Sequence, residues 1–141
     1  MTTPLPVDIA VLEHALSHVF ADWVRDLALS VVQARSGEVV LALPVGERHV
    51  HAGGVMCGQS LMAAADTAMV LAVMSRLGKF VPMTTVQLQT TFLRPVPKDS
   101  APLQVLATVL RLGRTLAFGE IKISTPDGTL AMHATTTYAL L

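Results

Sequence analysis

The stretch from Gly53 to Leu77, GGVMCGQSLMAAADTAMVLAVMSRL, limits what this chain can fold into. It is long enough for several helical turns and almost wholly apolar or small. A helix that is apolar on nearly every side must be covered on nearly every side, so other elements have to wrap it. It carries one carboxylate, Asp66. A buried acid costs several kcal/mol unless it is partnered or reaches a wet cleft.

Composition supports a wrapped core more than a membrane span. Hydrophobic residues make up 52% of the 141 and charged residues 14%, with a mean hydropathy of +0.56. A spanning helix needs about 18 consecutive apolar residues, and Gln59, Ser60, Asp66 and Thr67 interrupt the best window. Burial against further copies of the chain explains the greasiness better. MTTPLPVDIA lacks the basic start and apolar run of a signal peptide, and a lone Cys57 rules out an internal disulfide. Both fit a cytoplasmic protein. Zero net charge and 4% aromatics, with no basic block, argue against nucleic acid as a partner.

In chain order, Pro4 and Pro6 favour an extended start. Asp8 can cap a helix with Ile9, Leu12, Leu16, Val19 and Phe20 on one stripe. His14 and His18 have zinc-ligand spacing but no neighbouring acid or cysteine to complete a site, so they read as ordinary half-exposed histidines. From Leu27 to Leu43 the pattern is that of two strands around a Ser36-Gly37 turn. A glycine- and histidine-bearing loop, 44–54, leads into the long helix, which Gly78 should stop. Four further strands follow, with turns at Gly113-Arg114 and Asp127-Gly128. The expected fold is a single α+β domain over 1–141, a long central helix wrapped by a curved antiparallel sheet of about six strands, with an N-terminal helix.

At about 100° per residue, Gln59 and Asp66 point nearly the same way, close to Ala63, Val70 and Val73. That face reads either as the floor of a pocket or as a structural acid bonded within the fold. Gly53, Gly54 and Gly58 bracket the helix start, where free N–H groups can hold a carbonyl oxygen under attack. His49 and His51, just upstream, are loop residues that could serve as base or donor. Cys57 could be a nucleophile, with no base fixed beside it in sequence. No P-loop, dinucleotide fingerprint, GxSxG or metal cluster is present, which leaves no metal or nucleotide cofactor to expect.

The blocks HVHAGGVMCGQSLMAAADTAM, TTVQLQTTFLRPV and GRTLAF together resemble the hot-dog-fold acyl-CoA thioesterases, most of all the phenylacetate-degradation subgroup. The likeness runs from about residue 46 to the C-terminus. It implies dimers joined into a continuous sheet, often paired into homotetramers, and active sites shared between subunits, with coenzyme A entering as part of the substrate. By position, it implies Asp66 as general base or nucleophile and the Gly58 N–H as the group that polarises the thioester carbonyl. It also implies Thr85 as a holder of water and Arg114 as a contact for coenzyme A phosphates. The family commonly has His-Gly-Gly where this chain has Cys57-Gly58-Gln59, and Asn where His51 stands. His51 could replace that Asn as a donor, and Gln59 could narrow the pocket or bond Asp66. Gln59, Cys57 and Gly54 are candidates for holding substrate, and His51 for a catalytic role in orienting the reacting groups. A module that binds acyl-CoA without cleaving it, and a hydratase or dehydratase pairing His51 with Asp66, are the alternatives.

Overall fold

The computed structural model describes residues 7–141; the expectation for Pro4 and Pro6 falls outside them. A helix α1 (Ile9–His18) and a single turn α2 (Asp22–Arg25) precede strands β1 (Ser30–Arg35) and β2 (Glu38–Leu43). The long helix α3 (Gly58–Leu77) comes next, then β3 (Met83–Phe92), β4 (Leu103–Leu112), β5 (Leu116–Ser124) and β6 (Leu130–Leu140). The six strands form one antiparallel sheet in the order β1-β2-β4-β5-β6-β3, so β1 and β3 are its edges. This is the hot-dog fold. Helix α2 was not legible in the sequence, and the central helix begins at Gly58 rather than directly after the 44–54 loop. Residues 53–57 form turns and bridges, with Val50 paired to Met56 and Val55 to Pro97.

α3 packs chiefly on β4, with β5 and β2 to either side. The sheet face beneath it follows from strand alternation: Val39, Leu41 and Leu43, Leu103, Val105 and Ala107, Ile121 and Ile123 are all buried. The Met69 side chain of the helix lies against the sheet at Gly119, where a Cβ would lie 2.2 Å from Met69 Sδ and 3.1 Å from the Thr108 carbonyl oxygen. Only bare backbone lets the helix settle that deep. Although α3 is long and apolar enough to cross a membrane, 78% of its most apolar window is buried inside this fold.

The C-terminal end of the helix is fixed twice. Gly78 adopts φ +79 and donates its N–H to Met74 O at 2.7 Å, the left-handed stop that glycine makes without strain. Ser75 Oγ accepts from Gly37 N–H at 2.8 Å, tying the last turn to the β1–β2 hairpin. At the other end of the chain Asp8 caps α1 through Ala10 N–H, and Leu12 and Leu16 are buried while Ile9 and Val19 stay exposed. The rings of His14 and His18 stack 4.1 Å apart on the surface.

Candidate active site

Asp66 sits in the middle of α3, half-buried, and two hydroxyls hold its carboxylate. Thr85 Oγ1 donates to Oδ1 at 2.9 Å and to Oδ2 at 3.2 Å. Tyr138 OH donates to the same Oδ1 and to the Asp66 carbonyl, the latter at 3.0 Å. Thr85 and Tyr138 are register partners across β3 and β6, so they face the helix side by side. Burial first, and the Asp66 charge second, push the Tyr138 phenol well above its ordinary range. It therefore stays protonated and keeps donating.

A bulge makes this possible. The β3–β6 register shifts between Thr85 and Gln87, leaving Val86 unpaired and 59% exposed. Before it, Met83 and Thr85 face the helix. After it, Leu88, Thr90 and Phe92 lie opposite the buried residues Thr136, Ala134 and Met132. One extra residue thus re-aims the strand, and both Thr85 and Phe92 end on the helix side.

Asp66 opens on a cavity of about 350 Å³, walled by Val19, Phe20, Trp23, Val24, Val70, Phe80 and Met83 among others. The floor foreseen from helix angles is correct for Ala63 and Val70. It is incorrect for Gln59, which is exposed and lies away from this cavity, and for Val73, which is fully buried. Seven residues of helix separate Gln59 from Asp66, about 10 Å along the axis at 1.5 Å per residue, so matching angle does not bring contact. Within one chain Gln59 makes no hydrogen bond to Asp66.

The start of α3 forms a second, separate hollow of about 220 Å³, lined by Met56, Gly58, Leu61, Phe92, Leu93 and Arg94 among others. Cys57 occupies the N-cap position without a side-chain cap, so it leaves the first-turn N–H groups unserved. A Cβ on Gly58 would come 3.2 Å from Phe92 Cζ, so glycine here lets the Phe92 ring lie against the helix entry. Gly54, at φ +81, turns the approaching loop.

Cys57 Sγ lies 3.1 Å from Ser60 Oγ, which is 2.8 Å from His49 Nδ1, and His49 Nε2 reaches Asp26 O at 3.2 Å. A carbonyl only accepts, so Nε2 carries the proton, and a neutral His49 accepts from Ser60 through Nδ1. His49 is therefore a tie between α2, the loop and α3. His51 is exposed and accepts Gly53 N–H through Nδ1 at 2.9 Å. Arg114 is exposed on the β4–β5 turn. That turn lies at the same end of the sheet as Thr85 and Tyr138, because Leu116 and Thr84 both pair with Ala139. Asp66 and Thr85 thus meet within one chain. Gly58 opens the helix about 12 Å along its axis from the acid, and Cys57, Gln59, His51 and Gly54 likewise lie outside the Asp66 cavity.

Residues 53–132 match the family model described as thioesterase superfamily. The chain belongs to that superfamily. A protein of Halobacterium salinarum is 36% identical over 108 residues, covering 73% of this chain and 70% of that one. A protein of Saccharolobus solfataricus is 30% identical over 115 residues, covering 82% and 80%. Both are provisionally named as esterases. Among solved structures, zebrafish thioesterase superfamily member 2 superposes with a TM-score of 0.81 at 25% identity, over 94% of this chain and 95% of that one. A Streptococcus pneumoniae thioesterase-type protein solved with coenzyme A has a TM-score of 0.74 at 22% identity, over 80% and 85%, which speaks for the shared fold alone. Membership in the thioesterase superfamily supports hydrolase chemistry for this chain. Tyr138 is the site residue that sequence reasoning missed. Its place in a threonine-rich strand gave no signal, because only strand pairing sets it beside Thr85.

Proposed function

We propose that this thioesterase superfamily member hydrolyses acyl-CoA thioesters to the free acid and coenzyme A, in sites that two copies of the chain build together. The observation that carries this reading is Asp66, held by Thr85 and Tyr138 in the wall of a largely apolar cavity. The edge strand β3 runs from that cavity, lined by Thr85, to the hollow at the helix entry, lined by Phe92. Pairing β3 with the same strand of a second copy, antiparallel about a twofold, sets the Thr85 end of one against the Phe92 end of the other. Asp66 of one copy then faces the Gly58 N–H of its partner. The exposed edge, with Val86 outward, is the kind of unpaired strand that seeks such a neighbour.

In this site the partner's Gly58 N–H and the positive end of its helix stabilise the oxyanion that forms on the thioester carbonyl. Asp66 either takes a proton from water as the water attacks, or attacks the carbonyl itself and is then released by water. The C–S bond breaks, coenzyme A leaves as thiolate and takes up a proton. Thr85 and Tyr138 keep the carboxylate aimed throughout. Arg114 lies at the sheet end where a phosphate-bearing substrate would enter, and His51 and Gln59 border the helix entry. Pairs of such dimers, working in the cytoplasm, complete the proposed assembly.

Mixing two inactive variants tests the shared site. Asp66→Asn and Gly58→Val chains, unfolded together and refolded, should regain CoA release from roughly a quarter of the sites, those with both native halves. Refolded alone, each should stay inactive. No recovery from verified mixed dimers would refute a site shared between subunits.

A further inference from the structure

The cavity beside Asp66 is selective in its chemistry. Among the described residues that line it there is no Lys, Arg or His. Its polar groups are mostly occupied: Thr67 Oγ1 donates to Ala63 O at 2.8 Å, and the Thr85 and Tyr138 hydroxyls are bonded to Asp66. Thr84 is the remaining side chain with a hydroxyl to offer. The neighbouring cations are turned to other tasks or away. Arg25 bonds to Phe20 O at 3.0 Å and pairs with Asp22 at 3.4 Å, and Lys79 is exposed outside the lining.

The far wall comes from the N-terminal segment, which lies outside the matched span of the family model. Val19, Phe20, Ala21, Trp23 and Val24 supply it. Trp23 is 61% exposed, a large apolar side chain at a cavity mouth with most of its surface open. The wall is fastened where α2 ends. Asp26 pairs with Arg48 at 3.2 Å, and its carbonyl accepts from His49, which is bonded in turn to Ser60 on α3.

Building on the thioesterase reading, we infer that the chamber between Asp66 and α2 takes an uncharged, apolar acyl group, and that Trp23 is the residue that selects it by size. A carboxylated acyl group would meet the Asp66 charge with no counter-ion among the walls that the same chain supplies, at a large desolvation cost. A polar acyl group would find almost no free partner. An alkyl or aryl group instead covers Trp23, Phe80 and Val70 and takes their apolar surface out of water.

The experiment compares CoA release from acetyl-, octanoyl-, benzoyl- and succinyl-CoA, with the wild-type protein and with Trp23→Ala. The wild type should prefer octanoyl- or benzoyl-CoA to succinyl-CoA by about a hundredfold in kcat/KM. Trp23→Ala should raise KM for octanoyl- and benzoyl-CoA about tenfold, with a much smaller rise for acetyl-CoA. An unchanged far-ultraviolet dichroism spectrum checks that the variant folds. Equal use of succinyl-CoA, or a uniform loss across all esters in Trp23→Ala, overturns the inference while leaving hydrolysis intact. If no ester releases CoA, the hydrolytic reading fails and calorimetric affinities for the same esters decide the inference. Tighter octanoyl- than succinyl-CoA binding, weakened by Trp23→Ala, upholds it; equal affinities defeat it.

Discussion

The two ends of β3 do opposite work with the same helix. At the Thr85 end, side chains dominate: a carboxylate, a threonine and a tyrosine are locked together against an apolar chamber. At the Phe92 end the helix offers backbone: Gly58 begins α3 without a side-chain cap, under an aromatic ring. A helix can present free N–H groups only at its start, while an acid in its middle needs donors from elsewhere. The two chemistries are therefore forced apart within one chain. A strand pairing that runs antiparallel is the simplest way to bring them together.

The largest effect is expected at the acid. Asp66→Asn should lower kcat by about a thousandfold, as loss of a general base does, while size-exclusion chromatography shows the assembly unchanged. Turnover near wild type would remove Asp66 from the reaction. Gly58→Ala probes the other end more gently. It keeps the N–H but sets a Cβ 3.2 Å from Phe92, displacing the ring or the helix entry. About a tenfold fall in kcat is expected, since misplacement of a donor costs part of its full contribution. Adding Phe92→Leu should restore much of it, which steady-state kinetics would register.

Tyr138→Phe sharpens the contrast, because it loosens the acid without deleting it. A fall in kcat of a few-fold to about tenfold is expected, since Thr85 still donates. Stability supplies a second readout. Tyr138 has a raised pKa in the folded state, against an ordinary 10.0. Its contribution is therefore whole below about pH 10, and declines as alkali ionises the unfolded chain first. Thermal melts above pH 10 should fall more steeply for wild type than for Tyr138→Phe. The smallest effect is assigned to Arg114→Ala. A few-fold rise in KM for CoA esters, vanishing at high salt, is expected of an exposed cation near bound phosphates.

Much of this was open to sequence reasoning because it is local. The capping Asp8, the Ser36-Gly37 and Asp127-Gly128 turns and the Gly78 helix stop are each written in a few neighbouring residues. The acid stood out because a charge in a greasy helix demands an explanation. Less accessible were the sites that depend on distance along an axis. Gln59 shares a direction with Asp66 and still lies a turn and more away from its cavity. The α2 turn is only four residues long and carries no periodicity to read.

The order of residues alone required that one helix be buried, that strands in antiparallel order bury it, and that a single acid find partners. These follow from hydrophobic periodicity and the cost of a stranded charge, both properties of the chain as written. Tertiary structure decided who those partners are. Tyr138 lies 72 positions from Asp66 in the chain and meets it only through strand pairing. The bulge at Val86 chose which face Thr85 and Phe92 would take, because a single unpaired residue inverts every side chain beyond it.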